Sequence, residues 1–236
     1  MIKSIRESLK SSLFKRTIIY TASASLNALV AFLLLPVLTR YLSPYDYGVV
    51  ETFMAIVTCL TGVVLVGGNT LMSRHYFVLE ESDRQEFTGN ILGMIFIVSV
   101  SLLFLYFFSN IWGNFWSNLL KISSVLIVLA IVVSFANAII AMLSNTLQLE
   151  KNATFYMIFM NSRTLFEICL SLFLIMGIGL TWDGRISGIA TSIILFSAVA
   201  LYLFKSRNIS IRLPTKYKKK IIVLGAPMIL SHLGGW

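Results

Sequence analysis

Long apolar runs recur along the chain and are separated by short polar connections. Each run has about 20 residues, enough to cross a hydrocarbon core of about 30 Å at about 1.5 Å per residue. The pattern predicts an all-α polytopic membrane protein with six spanning helices and the start of a seventh. The predicted spans are residues 17–39, 45–66, 88–108, 122–143, 155–178 and 186–204, and the seventh begins at Ile221.

The polar segments divide the chain further. Residues 1–16 form a basic N-terminal segment, 17–204 a six-helix unit, 205–220 a basic linker, and 221–236 the start of a further unit. The last apolar segment stops at Trp236, short of the roughly 20 residues that a span needs. We therefore expect these 236 residues to be part of a longer protein.

The N-terminal segment has the pattern of an amphipathic helix. Its apolar residues share one helical face opposite its basic residues: Ile2, Ile5, Leu9 and Leu13 against Lys3, Arg6 and Lys10. Such a helix can lie in the membrane interface, although a frayed basic tail accounts for the same residues.

The connection between the first two spans is rich in cap and turn residues. Ser43 is a suitable N-cap, Pro44 fits the first helical position, and the Asp46 carboxylate can reach back to the cap. Pro36 removes one backbone hydrogen bond and permits a bend, while Arg40 can anchor at the interface. The segment predicts a tight hairpin in which the second helix starts at once.

Composition and charge support a membrane protein and argue against a nucleic-acid partner. Hydrophobic residues make up 57% of the chain and charged residues 12%, with a mean hydropathy of +0.85. Soluble domains carry about 25% charged residues. The net charge of +9 comes from basic residues that flank the apolar runs, so membrane-lipid phosphates are the expected counterions.

The basic residues also predict an orientation. Fifteen of the 19 fall on the side of the membrane that holds the N-terminus, and three fall on the other side. The positive-inside rule therefore places the N-terminus in the cytoplasm. Trp112, Trp116 and Trp182 then lie at the outer interface, where aromatic residues are enriched.

The fifth span contains a charged pair. Arg163 lies about 12 Å into the span, and Glu167 follows one turn later on the same face. Tyr156 extends this polar stripe. Charge at such depth indicates a functional site by default. Two interpretations stay open: a neutral pair of Arg163 with Glu167 between helices, or a cationic contact for an anionic substrate.

Polar residues at helical spacing occur on one face of other spans as well. They include Asn27 in the first span, Glu51 in the second, and Asn137 and Asn145 in the fourth. Interhelical hydrogen bonds explain such faces without any cavity. Their occurrence in four helices also fits a water-filled lumen. The candidates for substrate binding in it are Arg163, Glu167, Tyr156, Asn27, Asn137 and Asn145. The motifs GNILG and GRISG predict close helix contacts.

Other kinds of chemistry find little support in the sequence. The two cysteines and the two histidines have no metal-ligand spacing, and no phosphate-binding glycine loop is present. The outer connections are short, which argues against a membrane enzyme with a large loop site. We expect no catalytic residue, no metal and no cofactor.

The first hairpin carries a resemblance to a known family. The pattern Pro36, Arg40, Leu42, Pro44, Tyr47 and Gly48 resembles the signature of bacterial polysaccharide flippases, which belong to the multidrug/oligosaccharidyl-lipid/polysaccharide exporter superfamily. The resemblance implies export of a lipid-linked, polyprenyl diphosphate oligosaccharide across the cytoplasmic membrane by alternating access between two lobes. It leaves the coupling ion, proton or sodium, undetermined. The alternatives are a multidrug or toxin antiporter of the same fold and a membrane-embedded enzyme or scaffold.

Overall fold

The computed structural model describes residues 2–110, Trp116 and residues 123–212, with side chains from Phe14 onward except Ala31. These residues form seven α-helices and one π-helical turn, and they contain no strand. The helices are α1 Ile2–Tyr41, α2 Pro44–Leu65, α3 Gly68–His75, α4 Glu81–Asn110, α5 Ser124–Leu149, α6 Ala153–Leu172 with the π-helical turn Phe173–Gly177, and α7 Trp182–Ser206.

Six of the described helices are long and apolar enough to cross a membrane. They are Phe14–Tyr41 within α1, then α2, α4, α5, α6 with its π-helical turn, and α7. Each overlaps one predicted span for most of its length, so the prediction of an all-α polytopic membrane protein is confirmed. We call the end of the bundle where α1 begins the inner end, and the opposite end the outer end. The predicted seventh span, 221–236, lies outside the described residues.

The hairpin between α1 and α2 folds as its residues predict. Ser43 is the N-cap of α2, its hydroxyl oxygen accepts from the Asp46 backbone N–H, and the Asp46 carboxylate accepts from the Ser43 N–H at 2.8 Å. Pro44 occupies the first turn of the helix. This reciprocal capping box satisfies donors that would otherwise be orphaned at a helix start. Pro36 lies inside α1, which stays helical through it.

A sharp break after α2 creates a short helix that the sequence pattern does not predict. Val66 and Gly67 both have positive φ, at 47° and 67°, and α3 begins at once. A Cβ on Gly68 would lie 2.8 Å from the Ile91 side chain, so a glycine allows α3 to approach α4 this closely. α3 therefore packs against α4 and α5 at the inner end.

The core of the bundle is organised around α5. It packs against α2, α3, α4, α6 and α7, and 61% of its apolar window is buried inside the protein, against 12% for the span of α1. α1 attaches mainly through α6. A helix that is apolar all round belongs at the centre, whereas α1 leaves most of its apolar surface for lipid.

The two glycine motifs have different roles. Gly188, in GRISG, packs directly on Ser171 of α6, and an added Cβ would lie 2.9 Å from the Ser171 backbone. This contact confirms the expected close approach of two helices. Gly89, in GNILG, instead meets the backbone of Ser210, a residue of the segment that follows α7. The expected helix contact at GNILG is therefore wrong at Gly89, since a non-helical segment packs there.

Both ends of the described chain are extensions of the bundle. α1 is continuous from Ile2, so the basic N-terminal segment is helical and leads directly into the first span. Residues 207–212 form a segment that we call the inner strap. It turns back over α4, where the Arg212 N–H donates to the Gly89 carbonyl at 3.1 Å and Ile209 is buried in the core.

Candidate functional site

The polar faces of α1 and α6 pack against each other. The rings of Tyr20 and Tyr156 meet edge to face with centroids 5.2 Å apart. Farther along, the Ser23 hydroxyl donates to the Asn161 side-chain oxygen at 3.0 Å. Both contacts join residues whose numbers rise together, so the two helices run in the same direction. We call this polar contact between α1 and α6 the seam.

Arg163 lies in the middle of the seam. The register set by the two contacts places Asn27 of α1 at the depth of Arg163, about 15 Å from the start of α6 at 1.5 Å per residue. The arginine is half-buried, and its Nε is buried without a hydrogen-bond partner. It makes no ion pair with any residue that the structure describes. Tyr20 similarly has a buried hydroxyl without a partner.

Of the two interpretations of the charged residues in the fifth span, the neutral pair of Arg163 with Glu167 is wrong. Glu167 instead pairs with Arg185 of α7, whose Nη2 lies 3.0 Å from its Oε1, and each side chain is 15% exposed. The second terminal nitrogen of Arg185 donates to the Ser171 hydroxyl at 2.9 Å. Arg185 thereby neutralises Glu167, and Arg163 is left without an acid partner in the part of the chain that the structure describes.

Helix geometry explains the change of partner. Long side chains on a helix point toward its N-terminus, so Arg163 extends away from a residue that follows it by one turn. An acid that precedes a base by four residues is the better arrangement, and here the order is reversed. Arg185 reaches Glu167 because α7 packs closely on α6 at Gly188.

α2 contributes polar side chains beside this pair. The Tyr47 hydroxyl donates to the Leu35 carbonyl of α1 at 3.5 Å. Arg185 and Glu51 both lie within electrostatic range of that hydroxyl. Polar groups from α1, α2, α6 and α7 therefore converge toward the outer half of the bundle. They form a continuation of the seam.

Two of the predicted lumen residues lie elsewhere. The Asn137 amide donates to the Thr61 hydroxyl of α2 at 3.5 Å, and the Asn145 amide donates to the Asn69 carbonyl of α3 at 2.9 Å. Both join α5 to its neighbours, which is the interhelical role that the sequence left open. Neither bonds to α1 or α6 among the described residues. Tyr156 lies in the seam, Asn27 and Arg163 lie at one depth along it, and Glu167 pairs with α7.

The signature residues build the outer turn. Asp46 is buried, and beyond its own cap it faces the Thr181 hydroxyl and the Trp182 backbone N–H. The first hairpin is thus tied to the start of α7, three residues before Arg185. Pro36, Arg40 and Gly48 are exposed, and a Cβ on Gly48 would meet nothing within 4 Å.

Sequence reasoning missed Arg185, Ser171 and Asn161. The predicted sixth span begins at residue 186, which leaves Arg185 in an outer connection. The signal was present in Glu167, since a carboxylate at membrane depth needs a cation and Arg185 was the other basic residue near the same helix pair. Among the described residues, no group of three or more His, Cys, Asp or Glu could hold a metal ion.

Among the described residues, Arg163 is a guanidinium at membrane depth without an acid partner, and the seam adds hydroxyl, amide and phenol groups. Such a set can bind an anion with charge-assisted hydrogen bonds and can form hydrogen bonds to sugar hydroxyls. Apolar surface for lipid lies alongside, because Phe32 and Leu33 of α1 are exposed.

Comparison with known proteins identifies a family. Residues 13–235 match the family described as polysaccharide biosynthesis protein. Curated proteins and solved structures give no significant match. The family match covers nearly the whole chain and agrees with the resemblance carried by the first hairpin. The chain belongs to the polysaccharide biosynthesis protein family, as a polytopic membrane protein with six apolar spans in its described part.

Proposed function

We propose that this protein is a flippase that moves a lipid-linked oligosaccharide across the bacterial cytoplasmic membrane. The observation that carries the proposal is Arg163, a cation at membrane depth without a carboxylate partner among the described residues. A buried donor without a partner costs about 1–3 kcal/mol, so the site is stabilised by an anion that fills it. Polyprenyl diphosphate supplies such an anion.

The substrate's three parts match three surfaces. Arg163 would hold the diphosphate, and the tyrosine and amide groups of the seam would hold the sugar head. The polyprenyl tail would stay in lipid along the apolar outside of α1. Glu167 does not compete for the diphosphate contact, because Arg185 neutralises it.

The proposal includes orientation and mechanism. The inner end faces the cytoplasm, because fifteen of the 19 basic residues flank the spans on that side. The six spans form one lobe and act with a second lobe by alternating access, so that the seam opens to each side in turn. The protein is a transporter rather than an enzyme, and the coupling ion is left open.

The experiment replaces Arg163 in the full-length protein and measures surface glycan per unit of membrane-inserted protein. Loss of a hydrogen bond to a charged group costs about 1.5–3 kcal/mol, so Arg163→Gln should lower export about 10-fold to 100-fold. Arg163→Lys should keep part of the activity, since a point charge still attracts phosphate. Arg74→Gln removes an exposed arginine away from the seam and should leave export unchanged. Normal export by Arg163→Gln would remove Arg163 from the substrate site.

A further inference from the structure

A polar cavity lies at the inner end, away from the seam. It is formed by α3, α4, α5 and the inner strap. It has a volume of about 400 Å³, in the range of small-ligand sites. Gly89 makes it possible, because the absence of a side chain lets the strap backbone lie on α4. Its polar wall includes Tyr76, Glu81, Arg84, Gln85, Glu150 and Arg207.

Arg207 and Glu150, in this wall, form an ion pair with each other. Arg207 Nη1 lies 2.6 Å and 2.7 Å from the two Glu150 carboxylate oxygens. The pair fastens the strap to the end of α5. The pair is therefore neutral. It shapes the wall of the cavity but adds no net charge to it.

Arg84 is a cation without an acid partner among the described residues. Its guanidinium carbon lies 4.2 Å from the centroid of the Tyr76 ring, and one terminal nitrogen donates to the Leu79 carbonyl at 3.1 Å. Its Nε is buried without a hydrogen-bond partner. The ring and the carbonyl hold the guanidinium in place, so the cation is already oriented for an anion.

Glu81 supplies the opposite charge one turn away. It is exposed, lines the same cavity and makes no ion pair within the described part of the chain. The cavity therefore presents one unpaired cation and one unpaired anion, three residues apart on α4. A ligand that carries both charges a few ångströms apart would satisfy both groups.

We propose that this cavity binds a phosphoethanolamine group, with the phosphate on Arg84 and the ammonium on Glu81. The source that fits its position is phosphatidylethanolamine in the leaflet at the inner end. The cavity lies at the inner ends of the apolar helices α4, α5 and α7. Polar pockets between helices at the ends of their spans bind lipid headgroups. An anionic lipid would satisfy Arg84 alone, whereas a zwitterion satisfies both residues. The site is separate from the seam and does not depend on the proposed transport function.

The experiment is native mass spectrometry of the full-length protein released from vesicles with equal amounts of phosphatidylethanolamine and phosphatidylglycerol. The wild-type protein should retain phosphatidylethanolamine several-fold over phosphatidylglycerol. Arg84→Gln should lower its retention about 10-fold, by the loss of one charge-assisted contact. Glu81→Gln should keep phosphate binding but bring the ratio of the two lipids to about one. Glu80→Gln is the matched control, because Glu80 is exposed next to the cavity without lining it.

Two outcomes would overturn the proposal. One is a lipid ratio that Glu81→Gln leaves unchanged, and this test stands even if Arg84→Gln fails to fold. The other is equal stabilisation of the protein by soluble phosphoethanolamine and by phosphatidylethanolamine at matched concentrations. The acyl chains would then contribute nothing to binding, and the membrane lipid would be the wrong source.

Discussion

Replacing Arg185 tests the revised ion pair most directly. Its guanidinium contacts both Glu167 and Ser171, at 3.0 Å and 2.9 Å. Removing one member of a fully buried pair costs about 3–5 kcal/mol, because a charge is left without a partner. At 15% exposure some water reaches the pair, so we expect Arg185→Gln to cost about 2–3 kcal/mol.

Replacing Glu167 should cost less stability than replacing Arg185, and replacing both should recover stability. After Glu167→Gln, the long Arg185 side chain can extend toward the outer interface, so the loss should be about 1 kcal/mol. The double variant removes both charges, and replacing a whole pair is often tolerated. We therefore expect a coupling energy of about 2–3 kcal/mol between the two positions.

The assay is thermal unfolding in detergent of the purified full-length variants. A change of 1 kcal/mol shifts the Tm of a domain of about 150–250 residues by about 2–4 °C, so Arg185→Gln should lower Tm by about 4–12 °C. The double variant should recover most of that loss. The control cycle combines Arg163→Gln with Glu167→Gln, whose effects should add. Coupling of Glu167 to Arg163 instead of Arg185 would refute the assignment.

Two further predictions concern packing and orientation. Gly188→Ala should cost about 1–3 kcal/mol, because the new Cβ overlaps Ser171. Gly48→Ala meets nothing within 4 Å and should be neutral or stabilising, and equal Tm values for the two variants would contradict this. In a variant without the native cysteines, a cysteine at exposed Asp183 should react with an impermeant maleimide outside intact cells, and one at exposed Lys205 should react after the cells are opened. Labelling of Lys205→Cys from outside would reverse the proposed orientation.

The sequence by itself determined the spans and the first hairpin. A bilayer about 30 Å thick requires apolar runs of about 20 residues, so span number and position follow from composition along the chain. The cap of α2 depends on Ser43, Pro44 and Asp46, which are neighbours in sequence, and its geometry is therefore local. The family resemblance rests on the same local segment.

Only the tertiary structure decided which polar residues meet. Arg163 and Glu167 are one turn apart on one helix, yet the partner of Glu167 comes from α7, because packing at Gly188 brings Arg185 within 3.0 Å. Asn137 has the spacing of a lumen residue but bonds to α2. A helical stripe shows which residues share a face. Which helix that face meets depends on the packing of the whole bundle.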